Sequence, residues 1–308
     1  MRNLKGDLIL LLTAIIWGTS FISQKLGMNY IQPFTFGASR FLLGAAVLIP
    51  VILIFAALNK KKSDGQPAEK SKPKLNNKDL IMGGSLCGIS LFLAASCQQW
   101  GIVYTTAGKA GFITALYIVL VPLCGIFMHK KVNLLTWAGV ALAVVGLYFL
   151  CIKEGFYMQK GDIIVLAGTI FWALQILIVD AYNDKTEGLK LSCVQFVVAG
   201  ALSAIAALLF ENPSIKDIIA CGGPILYTAI MVVGVAYTLQ IIGQKYTNPT
   251  VAAIILSMES VFAVISGAIF LNESMSAREL IGCILMFAAV IITQLKPRDI
   301  LALVKKSK

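Results

Sequence analysis

The stretch Lys-Gly-Asp-Leu-Ile at residues 5–9 recurs later in the chain as Lys-Gly-Asp-Ile-Ile at residues 160–164. The same offset of 155 residues places Trp17 over Trp172, in a chain that has only four tryptophans. Each of the two stretches opens a long apolar run. The recurrence therefore predicts that the chain is built from two similar halves.

Further matches follow at a shorter offset of 142 residues. Gln98 falls on Gln240, and the Tyr-Thr pair at 104–105 falls on the pair at 246–247. The offset changes after the segment 59–79, which carries seven lysines and two prolines and has no counterpart in the second half. We expect this segment to be a flexible polar loop and not a separate domain.

The predicted domain organisation follows from these matches. Five apolar helices repeat once, and the chain ends in a basic tail. The predicted units are a first five-helix repeat over 1–152, a second over 160–295, and the tail over 296–308.

Composition indicates the environment that these halves occupy. Of the 308 residues, 58% are hydrophobic and only 13% are charged, and the mean hydropathy is +0.84. A soluble domain of this size is about one half apolar and about one quarter charged. A water-soluble core could not bury this much apolar surface, but a bilayer accommodates it. The composition therefore predicts an integral membrane protein.

Ten apolar runs are close to the roughly 20 residues that a hydrocarbon layer of about 30 Å requires. The first resembles a signal peptide, but we interpret it as a spanning helix because its apolar run continues without a clear cleavage site. Since five helices are an odd number, the second repeat would enter the membrane from the opposite side. The predicted fold is an all-α polytopic membrane protein with ten transmembrane helices, arranged as two inverted five-helix repeats. The predicted spans are 8–24, 34–58, 80–100, 107–128, 133–152, 162–181, 190–210, 223–243, 249–271 and 278–295.

The positions of Lys and Arg predict the orientation. Of the 26 basic residues, 19 lie on the side of the two termini, 6 lie on the other side, and Arg40 lies within a span. Because cytoplasmic loops are enriched in Lys and Arg, we expect both termini in the cytoplasm and the protein in the plasma membrane. The basic tail is expected on the inner leaflet. The same distribution accounts for the net charge of +11 without a nucleic-acid partner.

The sequence lacks the motifs of a metalloprotein or of an ATP-driven or dinucleotide-binding enzyme. Its seven cysteines form no Cys-x-x-Cys pair, and His129 is the single histidine. Metal clusters need converging soft ligands, and neither a Walker A loop nor a Gly-x-Gly-x-x-Gly stretch is found. We therefore predict no metal, no cofactor and no enzymatic activity.

An inverted repeat has a functional implication of its own. Such repeats generate two related conformations, one open to each face, around a site near the bilayer midplane. This favours a transporter of small molecules, with protons as a further expected ligand, over duplication that merely built a stable bundle. A channel or a membrane sensor is the alternative function, although no filter loop is evident. The sequence leaves open whether the protein forms a homodimer.

Two segments resemble a known family. Ser-Met-Glu-Ser-Val-Phe-Ala at 257–263, followed by Leu-Asn-Glu at 271–273, resembles a Leu-Glu-Pro-Val-Phe-Ala pattern of EamA-type transporters in the drug/metabolite transporter superfamily. Ala-Gly-Phe-Ile-Thr-Ala-Leu-Tyr at 110–117 resembles the matching helix of the first half. Ser260 departs from the pattern, because the family usually has proline there. The resemblance implies export or exchange of small metabolites, amino acids or drugs by alternating access.

Four residues are predicted to lie at one depth, near the midplane. At about 1.5 Å per residue, Trp17, Trp172, Tyr117 and Glu259 are each about 14 Å inside their spans. The repeat pairs the two tryptophans with each other and Tyr117 with Glu259. Trp and Tyr normally favour the membrane interface, so at the midplane they need a polar neighbour or a cavity. We predict an aromatic substrate pocket, with ordinary helix packing as the alternative.

Glu259 is the strongest candidate for a functional residue. An ionised carboxylate at the midplane costs a few kcal/mol, so this side chain should face the interior or be protonated. Our hypothesis is that Glu259 couples proton entry to substrate exit, or that it binds a substrate amine. The alternative is a neutral, hydrogen-bonded structural glutamic acid.

Other polar residues within the spans are candidates of a weaker kind. Arg40, which fits the resemblance as Gln195 does, either snorkels outward or offers a planar fork to a carboxylate-bearing ligand. Amide side chains serve as interhelical hydrogen-bonding groups as easily as site residues, and Tyr237 is left without a role. Substrate binding is assigned to Gln175 and Gln195, and a gate or cavity to Gln98, Gln99 and Gln240.

Overall fold

The structure is a computed structural model that describes residues 4–63, 77–105, 107–127, 132–152, 159–270 and 276–294. Every regular element in these ranges is a helix. Most of the predicted Lys-rich loop, residues 64–76, and the predicted basic tail, 296–308, lie outside the described residues. The helices are α1 (Leu4–Gly27), α2 (Pro33–Ser63), α3 (Asn77–Tyr104), α4 (Ala107–Ala115), α5 (Tyr117–Phe127), α6 (Leu134–Cys151), α7 (Lys160–Tyr182), α8 (Gly188–Phe210), α9 (Ile215–Ala220), α10 (Gly222–Tyr227), the π-helical segment Thr228–Tyr237, α11 (Thr238–Gln244), α12 (Pro249–Leu256), α13 (Glu259–Phe270) and α14 (Ala277–Gln294).

Helix lies at each of the ten predicted apolar runs. Among the described residues, seven helices are long and apolar enough to cross a membrane, and two shorter apolar helices cover Ala110–Ile126 and Leu134–Leu150. The chain is therefore a multi-pass membrane protein, whereas a count of ten crossings remains a prediction. The seven helices are Leu4–Gly27, Pro33–Ile54, Asn77–Tyr104, Lys160–Tyr182, Gly188–Phe210, Gly222–Gln244 and Pro249–Ser266.

The ends of the predicted loop 59–79 need correction. Residues 59–63 continue α2, and residues 77–79 open α3. Helices extend past their apolar runs in this way because lysine and asparagine can continue a helix where its backbone reaches the polar headgroup region. The polar segment between α2 and α3 is therefore shorter than the composition predicted.

Two spans predicted to be continuous are each broken in two, and the breaks occur at equivalent positions. The elements α4 and α5 are separated at Leu116, and α12 and α13 are separated at Ser257 and Met258. Leu116 and Met258 are related by the offset of 142 residues. Ser257 Oγ donates to the carbonyl oxygen of Ile254 at 2.8 Å, a back-bond of the kind that bends helices. The second break thus forms although Ser260 stands in place of a proline.

The eighth predicted span contains a feature that hydropathy does not indicate. Its central part, Thr228–Tyr237, is π-helical. At its start, Thr228 Oγ1 donates to the carbonyl oxygen of Pro224 at 2.7 Å. Wider π turns are frequent at functional sites, and this one ends on Tyr237, whose side chain is buried in the bundle.

Helix contacts come in matched sets. The most extensive are those of α3 with α7, α6 with α14, α2 with α8, α3 with α8, and α1 with α13. The contact of α1 with α12 and α13 has its counterpart in that of α7 with α4 and α5. The contact of α3 with α7 likewise corresponds to that of α1 with α10, α11 and the π-helical segment. Each half therefore contacts the other in the same way.

The repeated Lys-Gly-Asp and Tyr-Thr motifs contact each other across these pairs. Thr247 Oγ1 donates to Asp7 Oδ1 at 3.1 Å, and Thr105 Oγ1 donates in the same way to Asp162 Oδ1. In both places the lysine of the Lys-Gly-Asp motif lies over the tyrosine ring of the Tyr-Thr motif, and a cation–π attraction adds to the contact. The Nζ-to-centroid distances are 5.9 Å for Lys5 over Tyr246 and 5.6 Å for Lys160 over Tyr104.

Candidate functional site

A narrow cavity lies at the centre of the bundle, between the two halves. Its free volume is about 20 Å³, which is room for roughly one water molecule. The cavity must therefore widen before a metabolite-sized molecule can enter. Its lining residues come from both halves and are Trp17, Ser20, Phe21, Gln24, Arg40, Gln98, Thr114, Tyr117, Trp172, Val232, Tyr237 and Glu259.

Three aromatic rings form one wall of this cavity. The ring centroids of Trp17 and Trp172, which occupy equivalent positions, are 6.3 Å apart. Tyr237 lies against both, at 4.9 Å from Trp17 and stacked at 6.1 Å on Trp172 with an interplanar angle of 10°. Tilted and stacked pairs at these separations are favourable ring arrangements. The π-helical segment that ends on Tyr237 thus completes the aromatic wall.

Tyr117 and Glu259 meet on another wall. The hydroxyl of Tyr117 donates to Glu259 Oε1 at 3.4 Å, and both side chains are buried. Each residue begins a helix immediately after a break, α5 for Tyr117 and α13 for Glu259. A carboxylate at the first turn of a helix is stabilised by the unpaired amide groups there. The breaks therefore place these two equivalent residues face to face at the cavity.

Arg40 brings a positive charge to the cavity. Its side chain is 4% exposed, and its guanidinium carbon lies 5.3 Å from the Phe36 centroid and 4.8 Å from the Phe41 centroid. Nε has no hydrogen-bond acceptor, and no carboxylate of the described residues pairs with the side chain. Its electrostatic neighbour is Tyr237. The snorkelling alternative is not what the structure shows, because the guanidinium lies within the bundle.

Gln98 lines the cavity as well. Its Oε1 accepts a hydrogen bond from Trp172 Nε1 at 3.1 Å, and its Nε2 donates to Gln24 Oε1 at 3.4 Å. Gln99 lies outside the lining and donates to the carbonyl oxygen of Gln24 at 3.1 Å. Of these two predicted gate or cavity residues, only Gln98 is at the cavity.

The remaining three predicted amides lie apart from the cavity and bind one another. Gln240 Nε2 donates to Gln175 Oε1 at 2.9 Å, and Gln175 Nε2 lies 3.3 Å from Gln195 Oε1 and 3.4 Å from Gln240 Oε1. All three side chains are fully buried. We call Gln175, Gln195 and Gln240 the amide cluster.

The amide cluster has a counterpart in the first half with a different environment. The offsets of 155 and 142 residues relate it to Ser20, Arg40 and Gln98, which we call the cavity triad. All three residues of the triad line the cavity, and none of them makes a direct hydrogen bond to another among the bonds found in the described residues. Equivalent positions thus line the cavity in one half, where Ser20 and Gln98 are joined only through Gln24, and bind one another directly in the other half.

The structure brings together six of the ten predicted site residues and adds others. Ser20 could have been predicted from the sequence, because the repeat aligns it with Gln175, a predicted site residue. Tyr237 could not, because its equivalent is Ala95 and a single tyrosine in an apolar run does not indicate a site. The predicted residues at the cavity are Trp17, Arg40, Gln98, Tyr117, Trp172 and Glu259, and those away from it are Gln99, Gln175, Gln195 and Gln240.

Comparison with known proteins yields one family. The family described as the EamA-like transporter family matches residues 4–152 and 159–295. An "Uncharacterized transporter" of Archaeoglobus fulgidus is 31% identical over 96% of this chain and 88% of its own length. The "Uncharacterized transporter YetK" of Bacillus subtilis is 25% identical over 92% of this chain and 85% of its own length.

A solved crystal structure shares the fold. It matches with a TM-score of 0.77 over 97% of this chain and 99% of that chain, at 19% sequence identity. An "Uncharacterized inner membrane transporter YedA" of Escherichia coli is 23% identical over 91% of this chain and 87% of its own length. The similarity to these proteins therefore extends over nearly the whole length of the chain.

Proposed function

Because the chain belongs to the EamA-like transporter family, we propose that it is a secondary active transporter in the plasma membrane. It moves small metabolites, amino acids or drugs by alternating access, as an exporter coupled to protons or to substrate exchange. Its ten helices form two inverted five-helix repeats, and both termini are cytoplasmic. The matched helix contacts of the two halves support this arrangement.

The observation that carries the proposal is the difference between the cavity triad and the amide cluster. On α1, Ser20 lies beyond Trp17 toward the C-terminal end, and on α7, Gln175 lies beyond Trp172 in the same sense. If the two repeats are inverted, these residues lie on opposite sides of the aromatic wall. One side then borders the cavity, with Ser20 and Gln98 joined only through Gln24, and the other is closed by direct hydrogen bonds, an asymmetry that one state of an alternating-access carrier requires.

The second state follows by exchanging the roles of the two halves. In it, the amide cluster separates and lines a cavity, while the cavity triad closes. With cytoplasmic termini, the amide cluster would lie toward the cytoplasm and the cavity triad toward the opposite face. Because interfaces of this kind are bistable, a small difference in substrate or proton contacts suffices to shift the population between the two states.

Glu259 is the proposed coupling residue. It lies at the cavity and is bonded to Tyr117, its equivalent in the other repeat. A carboxyl group on this boundary is accessible to whichever face the cavity opens toward. Its protonation state can therefore change between the two states, which is the requirement for exchanging a proton against substrate.

Solute counterflow in proteoliposomes tests the proposed function. Purified protein is reconstituted and screened with amino acids, nucleosides and cationic dyes, with and without a pH gradient, against protein-free liposomes. A carrier gives uptake that saturates and is accelerated by unlabelled substrate inside the vesicles. Flux that rises linearly with concentration and shows no counterflow would instead indicate a channel.

A further inference from the structure

Arg40 carries a buried positive charge that has no counter-charge among the described residues. A guanidinium group stays ionised in proteins and has five N–H donors. Its Nε is buried and has no acceptor, and no carboxylate of the described residues forms a salt bridge with it. The rings of Phe36 and Phe41 offer cation–π contacts, but a ring contact does not supply an acceptor for the Nε–H. A buried charge without a counter-charge is costly, so such groups are found paired.

A second unsatisfied donor lies at the same cavity. Trp17 Nε1 is buried and has no acceptor, whereas the equivalent indole of Trp172 is bonded to Gln98. An indole nitrogen can only donate. Trp17 and Arg40 both line the same cavity of about 20 Å³, and so does Tyr237, whose ring lies against that of Trp17. Buried polar groups without partners are few in native proteins, and each needs an explanation.

Both unpaired groups need an acceptor atom, and the positive charge of Arg40 favours an anionic oxygen. We propose that the transported substrate carries an anionic group, a carboxylate or a phosphate, which binds between the Arg40 guanidinium and the Trp17 indole. The apolar part of the substrate packs on Tyr237 and Trp172. This inference rests on the proposed function, because it takes the central cavity to be the transport site.

The anion site exists in only one of the two halves, because the halves differ at the position of Arg40. The position equivalent to Arg40 is Gln195, which is neutral and belongs to the amide cluster. When the protein closes around the cavity triad, the Arg40 site is dismantled, and the neutral amides that open on the other face offer no equivalent charge. An anionic group is therefore held strongly when the cavity has widened on the Arg40 side and weakly in the opposite state.

A series of ligands that share one phenyl ring tests the charge preference. Equilibrium binding of radiolabelled phenylacetate to the purified full-length protein is measured, and unlabelled phenylacetate, phenyl phosphate, phenylacetamide and phenethylamine serve as competitors. The two anions should compete at least about tenfold better than the neutral amide, because a hydrogen bond to a charged group contributes roughly 1.5–3 kcal/mol. The amine should compete worst. The order of the two anions shows which group, carboxylate or phosphate, the site prefers.

Three variants test whether the preference for anions depends on Arg40 and Trp17. Arg40→Gln should weaken phenylacetate binding roughly 10- to 100-fold and abolish the preference over phenylacetamide. Arg40→Lys keeps the charge but loses the planar fork, so the preference over the amide should persist at reduced affinity. Trp17→Phe keeps the ring and should weaken binding only a few fold. The matched control is Lys190→Gln, which removes an equal charge from an exposed pair with Glu187 and should change nothing.

The outcomes separate this inference from the proposed function. Equal competition by the amine and the anions, failure of both anions to compete, or an unchanged preference in Arg40→Gln overturns the anion site. Saturable counterflow of an amine would in that case still support a transporter. Conversely, Arg40-dependent anion binding without counterflow of any compound leaves the anion site standing and refutes transport.

Discussion

Gln240 donates a hydrogen bond to Gln175 across the closed side of the bundle, with 2.9 Å between Nε2 and Oε1. No direct hydrogen bond joins Gln98 and Ser20, the equivalent pair of the first half, within the described residues. Two copies of one structural unit thus have different hydrogen-bonding states in one molecule. This difference is what an alternating-access cycle would exchange between the halves.

Locking the amide cluster should stop transport. In a background whose seven native cysteines are replaced, Gln175→Cys and Gln240→Cys are joined with a short bifunctional thiol reagent. We expect counterflow to disappear on cross-linking, because the cluster must separate in the second state. Full counterflow after complete cross-linking would contradict the gate. The control is each single-cysteine variant treated with the same reagent, which should keep its activity.

Glu259→Gln should uncouple transport from the pH gradient. The amide fills the same space but cannot release a proton, so counterflow should persist while its response to the gradient is lost. The measurement is counterflow in proteoliposomes at several pH values on either side of the membrane. Transport that is undiminished and still pH-dependent would rule out coupling through Glu259. Glu187→Gln, which changes an exposed acid just before α8, is the matched control and should respond as the native protein does.

Gly18→Ala should destabilise the bundle. An added Cβ would lie 2.6 Å from the backbone oxygen of Glu259 and 2.6 Å from Phe262 Cβ, so α1 and α13 would have to move apart. Overpacking of this kind costs about 1–3 kcal/mol. Thermal unfolding in detergent measures the change. Gly222→Ala is the control, since nothing lies within 4 Å of its added Cβ, and a similar loss there would refute the explanation.

Asp162→Ala should lower stability more than Asp7→Ala does. Asp162 is almost fully buried and accepts bonds from Thr105 Oγ1 and from the backbone nitrogen of Gln159, the latter at 2.8 Å. Its loss leaves buried donors unsatisfied, at about 1–3 kcal/mol. Asp7 is only partly buried, so water can replace part of its contact. The thermal unfolding midpoints of the two variants in detergent show which substitution costs more stability. The control is Asp184→Ala, which changes an exposed residue and should leave the midpoint unchanged.

Much of the helical layout was predictable from sequence, for a physical reason. A chain in hydrocarbon must satisfy its backbone hydrogen bonds within itself, so apolar runs of spanning length form helices. The recurrence of Trp17 at Trp172 also predicted a shared depth, and the structure places the two rings in contact. It likewise predicted one depth for Tyr117 and Glu259, and the structure shows these two side chains hydrogen-bonded to each other.

Other features depend on local geometry that hydropathy does not contain. The breaks at Leu116 and Met258 lie within runs that hydropathy alone treats as continuous, and at the second break the Ser257 hydroxyl binds the carbonyl oxygen of Ile254. Tyr237 reaches the aromatic wall because the π-helical segment rotates it there, which a period of 3.6 residues does not predict. The cavity lining therefore included residues that no pattern had indicated.

The sequence alone thus determined the helices and predicted the repeat and a shared depth for four residues, because the bilayer and the repetition act on local composition. The tertiary structure alone decided which copy forms the amide cluster and which lines the cavity. Ser20 and Arg40 differ from their counterparts, but Gln98 and Gln240 are the same residue type, and either copy could form the cluster. Two arrangements of nearly equivalent halves differ by only a few kcal/mol, so the choice depends on the summed packing of the whole bundle and not on any one segment.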